Sequence, residues 1–322
     1  MMTSIFIAMP LPEESINVLK ENKLSYTIWD SLDHITEDQL CEKVKDVTVL
    51  ISSVSVNVSQ EVIESAPNLK LIANVGDGYS NIDMDVAKAK GITVTNAPTI
   101  DSIASTAEQT VTLLLALSRQ ILAGDKMMRN HAFPGWSVTG YLGGDQVYGK
   151  KMVIIGLGRV GKMVAQMMQP FNMDLYYVDP IKADNEFEKA NHIKRVSLEE
   201  GLALADYVTL NCDLNADNYH MFTLDTFNLM KPSAYWINCA RGPLVKEADL
   251  VTALQDKKIA GAALDVYEFE PEVSDALAEI PNTVLTPHGG NATVEARKEM
   301  AMDAVMQAVH FTKGEPLEYV VK

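Results

Sequence analysis

Short β-type apolar runs alternate with helix-length amphipathic stretches through the N-terminal third of the chain. The runs read SIFIAM, SYTIWD, VTVLISS, LKLIANVG and GITVTN, with Ser4 to Met9 as the first strand and a helix near Glu13 to Asn22. Such alternation predicts a parallel sheet with helices on its faces. After Asn96-Ala97-Pro98, a segment from about Ser102 to Asn130 is rich in Ala, Leu, Met and Thr, with acid near its start and Lys126 and Arg129 near its end. That charge order suits a helix dipole, and the apolar middle suits one buried helix bridging two domains. The following HAFPGWSVTGYLGGDQVYGK is dense in Gly, Pro and aromatics, as a surface-crossing loop is. From Lys150 the alternation restarts with KMVIIG, DLYYVD, YVTLNC, AYWINCA, IAGAALDV and TVLTPH, a second α/β unit of Rossmann size. An Ala- and Met-rich stretch from Asn291 to His310 predicts a final helix that returns to the first domain. The chain is expected to cross the domain boundary twice, with residues 1–98 and 291–322 in one domain and 99–290 in the other.

A chain of 322 residues accommodates about two domains of ordinary size. Its 47% hydrophobic and 22% charged residues match a globular protein and exclude extended disorder. The formal charge of −16 disfavours nucleic acid, which needs clustered Lys and Arg, and requires any anion site to bring its own cation. Three separated cysteines without CxxC or a metal-ligand pattern point to a reducing cytoplasm and no metal centre. The start has no basic segment of a signal peptide, and VTLLLAL is too short to span a bilayer. Neither a leader nor a membrane segment is expected.

Gly156, Gly158 and Gly161 form G-x-G-x-x-G directly after an apolar strand and at the opening of an amphipathic helix, Arg159 to about Gln169. In that setting the first glycine makes the turn and the second admits a pyrophosphate close to backbone N–H groups. The third lets helix and strand pack, while the helix N-terminus favours negative charge. The next strand, DLYYVD, ends in Asp179 about 20 residues on, where a carboxylate hydrogen-bonds the adenosine ribose and repels a 2′-phosphate. The expected cofactor is NAD.

Three further apolar runs end in ionisable residues: Arg241 in INCARG, Glu270 in ALDVYEFEP and His288 in VLTPHGG. Strand ends are where open α/β sheets place their chemistry, so an acid, a base and a fixed cation are candidates for one site. The framing of His288 by Pro287 and Gly289 singles it out. The other five histidines lie in polar or helical surroundings and read as surface or satisfied side chains. Spacing alone does not choose among Glu268, Glu270 and Glu272. Arg241 has a structural salt bridge as its alternative role.

Taken together these motifs resemble the D-isomer-specific 2-hydroxyacid dehydrogenase family. The similarity runs through APNLKLIANVG with NID, GITVTNAP, TAE, VYGKKMVIIGLGRVG, LMKPSAYWINCARG, IAGAALDVYEFEP and LTPHGG with AT, nearly the whole chain. The resemblance places the family's catalytic arginine on Arg241, its glutamate on Glu270, directly before the proline, and its histidine on His288. It implies a flavodoxin-like substrate domain made from both chain ends, an inserted Rossmann NAD-binding domain, a cleft that closes on the cofactor, and homodimers. By the same carry-over, Arg159 and Val160 meet the pyrophosphate. Cys239, Ala240, Asp265 and Gly290 line the nicotinamide side together with Arg241 and His288, and backbone amides around Val75 and Gly76 bind the substrate carboxylate.

Hydride transfer between NADH and a small 2-oxo or 2-hydroxy acid follows as the implied activity, with glyoxylate, hydroxypyruvate and pyruvate as model substrates. His288 would give its proton to the developing alkoxide, and Glu270 would accept a hydrogen bond from the other ring nitrogen and favour the imidazolium. Arg241 would hold the carboxylate and polarise the carbonyl. Two alternatives share the fold: a dinucleotide-sensing binding protein without turnover, and a phosphoglycerate dehydrogenase. SSVSVNV offers hydroxyls and no Arg or Lys for a phosphate, which disfavours the second. The chain also departs from the family in reading Leu210-Asn211-Cys212-Asp213-Leu214-Asn215 for L-H-x-P-L-T and PHGGNAT for PHIGSAT. The first departure alters the wall near adenine and ribose. Contributors to the side-chain pocket are expected among Ile100 to Ser105, Tyr79, Trp136, Tyr141 and the loop from Phe269 to Pro281.

Overall fold

The N-terminal apolar runs become five strands, β1 (Ile5–Ile7), β2 (Tyr26–Ile28), β3 (Val49–Ser53), β4 (Leu71–Val75) and β5 (Thr93–Thr95). In this computed structural model, which describes residues 4–31, 33–140 and 142–321, they form a parallel sheet in the order β2-β1-β3-β4-β5. Between them run α1 (Glu13–Glu21), α2 (Glu37–Lys43), α3 (Gln60–Glu64) and α4 (Met84–Ala89). The side chains of Thr36, Ser59 and Asp83 cap the last three, each satisfying a helix N–H that has no intrahelical partner. Strands such as Val49–Ile51 and Leu71–Ala73 are apolar on both sides because helices cover both faces of the sheet. On one face Phe6, Leu50 and Ile72 meet Leu40, Val62, Ile63 and Ala87. On the other, Ile5, Ile7, Val49, Ile51 and Leu71 meet Ala304, Val305, Ala308 and Val309 of the C-terminal helix, Val294–Lys313.

The second sheet has seven parallel strands: β6 (Lys151–Ile155), β7 (Asp174–Val178), β8 (Ile193–Arg195), β9 (Tyr207–Leu210), β10 (Tyr235–Asn238), β11 (Gly261–Leu264) and β12 (Thr283–Leu285). Their order is β12-β11-β10-β9-β6-β7-β8. Strand order reverses between β6 and β9, the switch point outside which doubly wound sheets bind nucleotides. The helices in this part are α5 (Ile100–Ser118), α6 (Ile121–Arg129), α7 (Arg159–Met168), α8 (Asn185–Ala190), α9 (Leu198–Leu204), α10 (Leu224–Phe227), α11 (Glu247–Gln255) and α12 (Asp275–Ala278). The C-terminal helix is then α13. The two α/β parallel sheets carry flavodoxin-like and Rossmann strand orders respectively.

The chain divides into Met1–Ser102 with Thr293–Lys322, and Ile103–Ala292. These joins lie a few residues beyond 98/99 and 290/291. The first turn of α5 stays with the first unit because Asp101 N–H donates to Glu299 Oε2 of α13 at 3.0 Å. The single buried helix expected from Ser102 to Asn130 is two helices. Gln120 adopts φ +51° in the polar triplet Ser118-Arg119-Gln120, where the apolar face of α5 ends, and α6 has no buried residue. Strand β8 was absent from the sequence pattern, its three residues IKR being mostly exposed at the sheet edge. Among the described residues no helix is long and apolar enough to cross a membrane.

Candidate active site

Each glycine after β6 answers a different demand. Gly156 sits at φ +88°, and a Cβ there would lie 2.7 Å from the Cα of Cys212, so the turn lies against the end of β9. A Cβ on Gly161 would collide with the carbonyl oxygen of Gly156. Gly158 caps α7 without any side-chain hydrogen bond, and a Cβ there would meet nothing within 4 Å. An uncapped helix start beside open space fits a pyrophosphate, whose charge the helix dipole stabilises. Arg159, Val160 and Gly161 form the first turn. Asp179 follows β7, and its carboxylate accepts from Leu157 N–H and Ile181 N–H, both at 2.8 Å. It is thereby locked beside the glycine turn.

Strand β10 delivers Arg241 through a turn organised by Asn238, which is fully buried. Its side chain donates to Arg241 O at 3.0 Å and accepts from Ala240 N–H at 2.9 Å, while Arg241 Nη1 donates to Ala240 O at 2.6 Å. Gly242 is required because any Cβ would collide with the Tyr267 carbonyl, so the Arg241 turn rests directly on the segment that carries Glu270. Cys239 and Ala240 are nearly buried beside it. Burial pushes the Cys239 thiol up to about 12, against a hydrogen bond with Thr110. Cys212 is pushed to about 11 by burial, with the charges of Asp213 and Asp179 adding to it.

The three acidic candidates separate clearly. Glu268 faces inward, its carboxylate 2.6 Å from His220 Nε2 and accepting from Glu247 N–H at 2.8 Å, and its side chain is 8% exposed. Glu272 is exposed. Glu270 accepts from Tyr267 N–H at 2.9 Å through one oxygen and lies 2.7 Å from His288 Nδ1 through the other. Burial raises the Glu270 pKa, but the hydrogen bond and charge of His288, with Tyr267 N–H and the Arg241 charge, hold it below the usual carboxylate value.

His288 stands at φ +52°, a conformation that costs a non-glycine residue about 1–2 kcal/mol. Its N–H donates to Asp265 O at 2.8 Å. The Asp265 carboxylate, 1% exposed, accepts from Thr286 Oγ1 at 2.6 Å, Gly289 N–H at 2.8 Å and Gly290 N–H at 2.7 Å. Ser105 Oγ adds a bond to Gly290 O at 2.8 Å. The turn is thus held from several sides, and with Nδ1 on Glu270 the imidazole Nε2 has no partner among the described residues.

In the first unit, β4 ends at Val75, and Gly76 adopts φ +149° with Val54 Cγ1 2.6 Å from its would-be Cβ. Buried Asn74 shapes the loop that follows, accepting from Ser52 Oγ at 2.8 Å and donating to Gly78 O at 2.8 Å. Of the expected pocket residues, Ser105 is buried, Trp136 and Tyr79 are exposed, and Tyr141 lies outside the described residues. Sequence reasoning missed Asn74, Asn238, Thr286 and the Tyr267 amide. For Asn74, Asn238 and Thr286 a polar residue in or next to the last residues of a strand was the only signal, and the Tyr267 amide had none.

A profile of the D-isomer specific 2-hydroxyacid dehydrogenase NAD binding domain matches residues 111–290. A Staphylococcus haemolyticus protein whose name places it among the 2-hydroxyacid dehydrogenases is 45% identical over 99% of both chains. The TT0316 protein of Thermus thermophilus has a solved structure similar to this one at TM-score 0.92 and 30% identity, covering 99% of this chain and 100% of that chain. An NADPH-dependent glyoxylate/hydroxypyruvate reductase of Sinorhizobium meliloti, solved with NADP and malonate, superposes at TM-score 0.87 and 25% identity over 100% of this chain and 97% of that one. The chain therefore belongs to the D-isomer-specific 2-hydroxyacid dehydrogenase family, as an oxidoreductase that uses a nicotinamide dinucleotide to act on a CH–OH group.

Proposed function

We propose that the protein reduces a small unphosphorylated 2-oxo acid, of the glyoxylate, hydroxypyruvate or pyruvate type, with NADH. The observation that carries this reading is His288, whose Nδ1 lies 2.7 Å from Glu270 while Nε2 stays open to a substrate oxygen. Bound NADH supplies the hydride. His288 gives the Nε2 proton to the oxygen on which negative charge develops, and Glu270 stabilises the imidazolium and fixes the ring. Arg241 is the local cation that a chain of net charge −16 needs in order to hold a carboxylate. Backbone amides at Val75 and Gly76 are the proposed second carboxylate contact. Asp179 favours the ribose hydroxyls of NADH over the phosphate of NADPH.

Absence of a substrate phosphate is supported by Ser52 and Ser53 at the end of β3 and by Val54 and Ser55 after it, none of which carries a positive charge. The three free cysteines fit a reducing cytoplasm, and the family resemblance supports a homodimer. The test is the loss of NADH absorbance across a panel of 2-oxo acids, with the chirality of the product determined. Turnover to the D-hydroxy acid supports the reading, and NADH binding without turnover of any member overturns it.

A further inference from the structure

Besides His288, His220 meets a carboxylate at close range. Its Nε2 lies 2.6 Å from Glu268 Oε1, and the two side chains are 24% and 8% exposed. His220 closes the loop that follows β9. Asn218 shapes that loop, accepting from Asn215 N–H at 2.7 Å and donating to Asp213 O at 2.6 Å. At His220 the loop meets both segments that carry the reactive side chains. Its backbone N–H donates to Pro243 O at 2.9 Å, just after Arg241, and the ladder continues with Phe222 N–H to Leu244 O and Lys246 N–H to Phe222 O. Its ring reaches Glu268, just before Glu270.

Glu268 Oε2 accepts from Glu247 N–H at 2.8 Å, whereas Oε1 has no donor besides His220 among the described residues. Glu247, itself 3% exposed, brings a second carboxylate, whose Oε2 accepts from Glu268 N–H at 3.4 Å. Without the imidazole, a nearly buried anion beside another would lose its partner, and such a charge regains water only if its chain moves. That chain has little slack. Tyr267 N–H holds Glu270 Oε1 at 2.9 Å, and the Tyr267 carbonyl lies against Gly242. A shift at Glu268 is therefore passed directly to the Glu270 carboxylate. We infer that His220 is a positioning residue for the reaction: through Glu268 it fixes the Tyr267–Glu270 segment, and so the carboxylate that orients His288. This inference rests on the reductase reading and adds to it a residue that acts through another. The bond from His220 N–H to Pro243 does not depend on the side chain, so the Arg241 turn should survive removal of the ring.

Steady-state kinetics and hydrogen exchange on the full chain test this role. His220→Ala should lower reductive kcat by about tenfold or more and change KM for the oxo acid by less than about twofold, because the carboxylate behind the imidazole moves while Arg241 stays. His220→Gln, whose amide can still donate to Glu268, should recover most of the kcat. In a Glu270→Gln background the effect of His220→Ala should shrink to about twofold or less, since the group it positions is already gone. The Tyr267 amide should exchange faster in His220→Ala than in wild type. An unchanged kcat, a loss that Gln does not recover, or an equal loss in the Glu270→Gln background would make His220 a brace of the fold only and overturn the inference. Should His220→Ala fail to fold, Glu268→Gln carries the same comparison, because one amide oxygen cannot accept from both His220 and Glu247 N–H. A kcat loss that vanishes in the Glu270→Gln background then supports the inference, and any other result overturns it. Absence of wild-type turnover with every 2-oxo acid would overturn the reductase reading and this inference with it, whereas wild-type turnover with an indifferent His220→Ala overturns the inference alone.

Discussion

Replacing Asp265 by Asn tests whether one buried carboxylate fixes the turn that carries His288. All three partners of the carboxylate are donors: Thr286 Oγ1 and Gly289 N–H on one oxygen, Gly290 N–H on the other. An amide of the same shape must turn its NH2 toward at least one of them. The less costly orientation keeps the oxygen on Thr286 and Gly289 and leaves the buried Gly290 N–H facing another donor. An unsatisfied buried N–H costs about 1–3 kcal/mol, and two bonds that change from charge-assisted to neutral lose about 1 kcal/mol each. Relief from burying a charge offsets part of this, so a net destabilisation of about 2–4 kcal/mol is expected. It should appear as a lower urea midpoint for the second unit and as faster hydrogen exchange at the amides of Gly289 and Gly290. Because the same turn aims the imidazole, reductive kcat should fall by about 10- to 100-fold. A variant within about 0.5 kcal/mol of wild type, with protected Gly290 and unchanged kcat, would refute the assignment.

His288→Ala should lower reductive kcat by about 100-fold or more while affecting NADH affinity far less, as a fluorescence titration would show; normal kcat would remove the proton-donor role. Arg241→Lys keeps the charge but loses the paired donors, and kcat/KM for the oxo acid should drop by about 100-fold, most of it not recovered by added substrate. With rising pH, reductive kcat/KM should fall and oxidation of the hydroxy acid should rise, because reduction consumes a proton and oxidation releases one. On the acid side the Glu270 pKa lies below its ordinary value, so its pairing with His288 is complete above that ordinary value and is lost only as pH falls through the lowered one. Glu270→Gln should remove this acid limb, and a wild-type profile in that variant would count against the pairing.

Legibility in the sequence followed the strength of local signals. Continuous apolar runs marked the buried strands because parallel sheets covered on both faces have no polar side. Strand β8 escaped because an edge strand reading IKR buries only Ile193. The break at Gln120 escaped for the reverse reason: apolar residues such as Ile121, Leu122 and Met128 continue the helical pattern although α6 leaves them exposed. At the site, Gly156 and Gly161 were readable because a Cβ at either would collide with backbone, and Gly158 was readable from its place between them at the start of α7. Glu270 was not distinguishable from Glu268 by residue type or spacing, since the difference is which histidine each one meets across the fold. Family resemblance selected Glu270, and the distances assign Glu268 to His220 and Glu270 to His288.

The C-terminal helix α13 belongs to the first sheet, where Ala304, Val305, Ala308 and Val309 close over Ile5, Ile7, Val49 and Ile51. During synthesis these strands leave the ribosome before the inserted unit and their cover leaves after it. The continuous segment Ile103–Ala292 has all its strands available before α13 exists, so it can fold while the earlier strands wait with one apolar face uncovered. N-to-C folding cannot complete the first unit before the second, because part of the first unit's core is translated after it. Its vulnerable interval on the ribosome lasts for the translation of the whole inserted unit, and a nascent chain stopped short of Ala304 should be held by chaperones or aggregate through the β1 and β3 face.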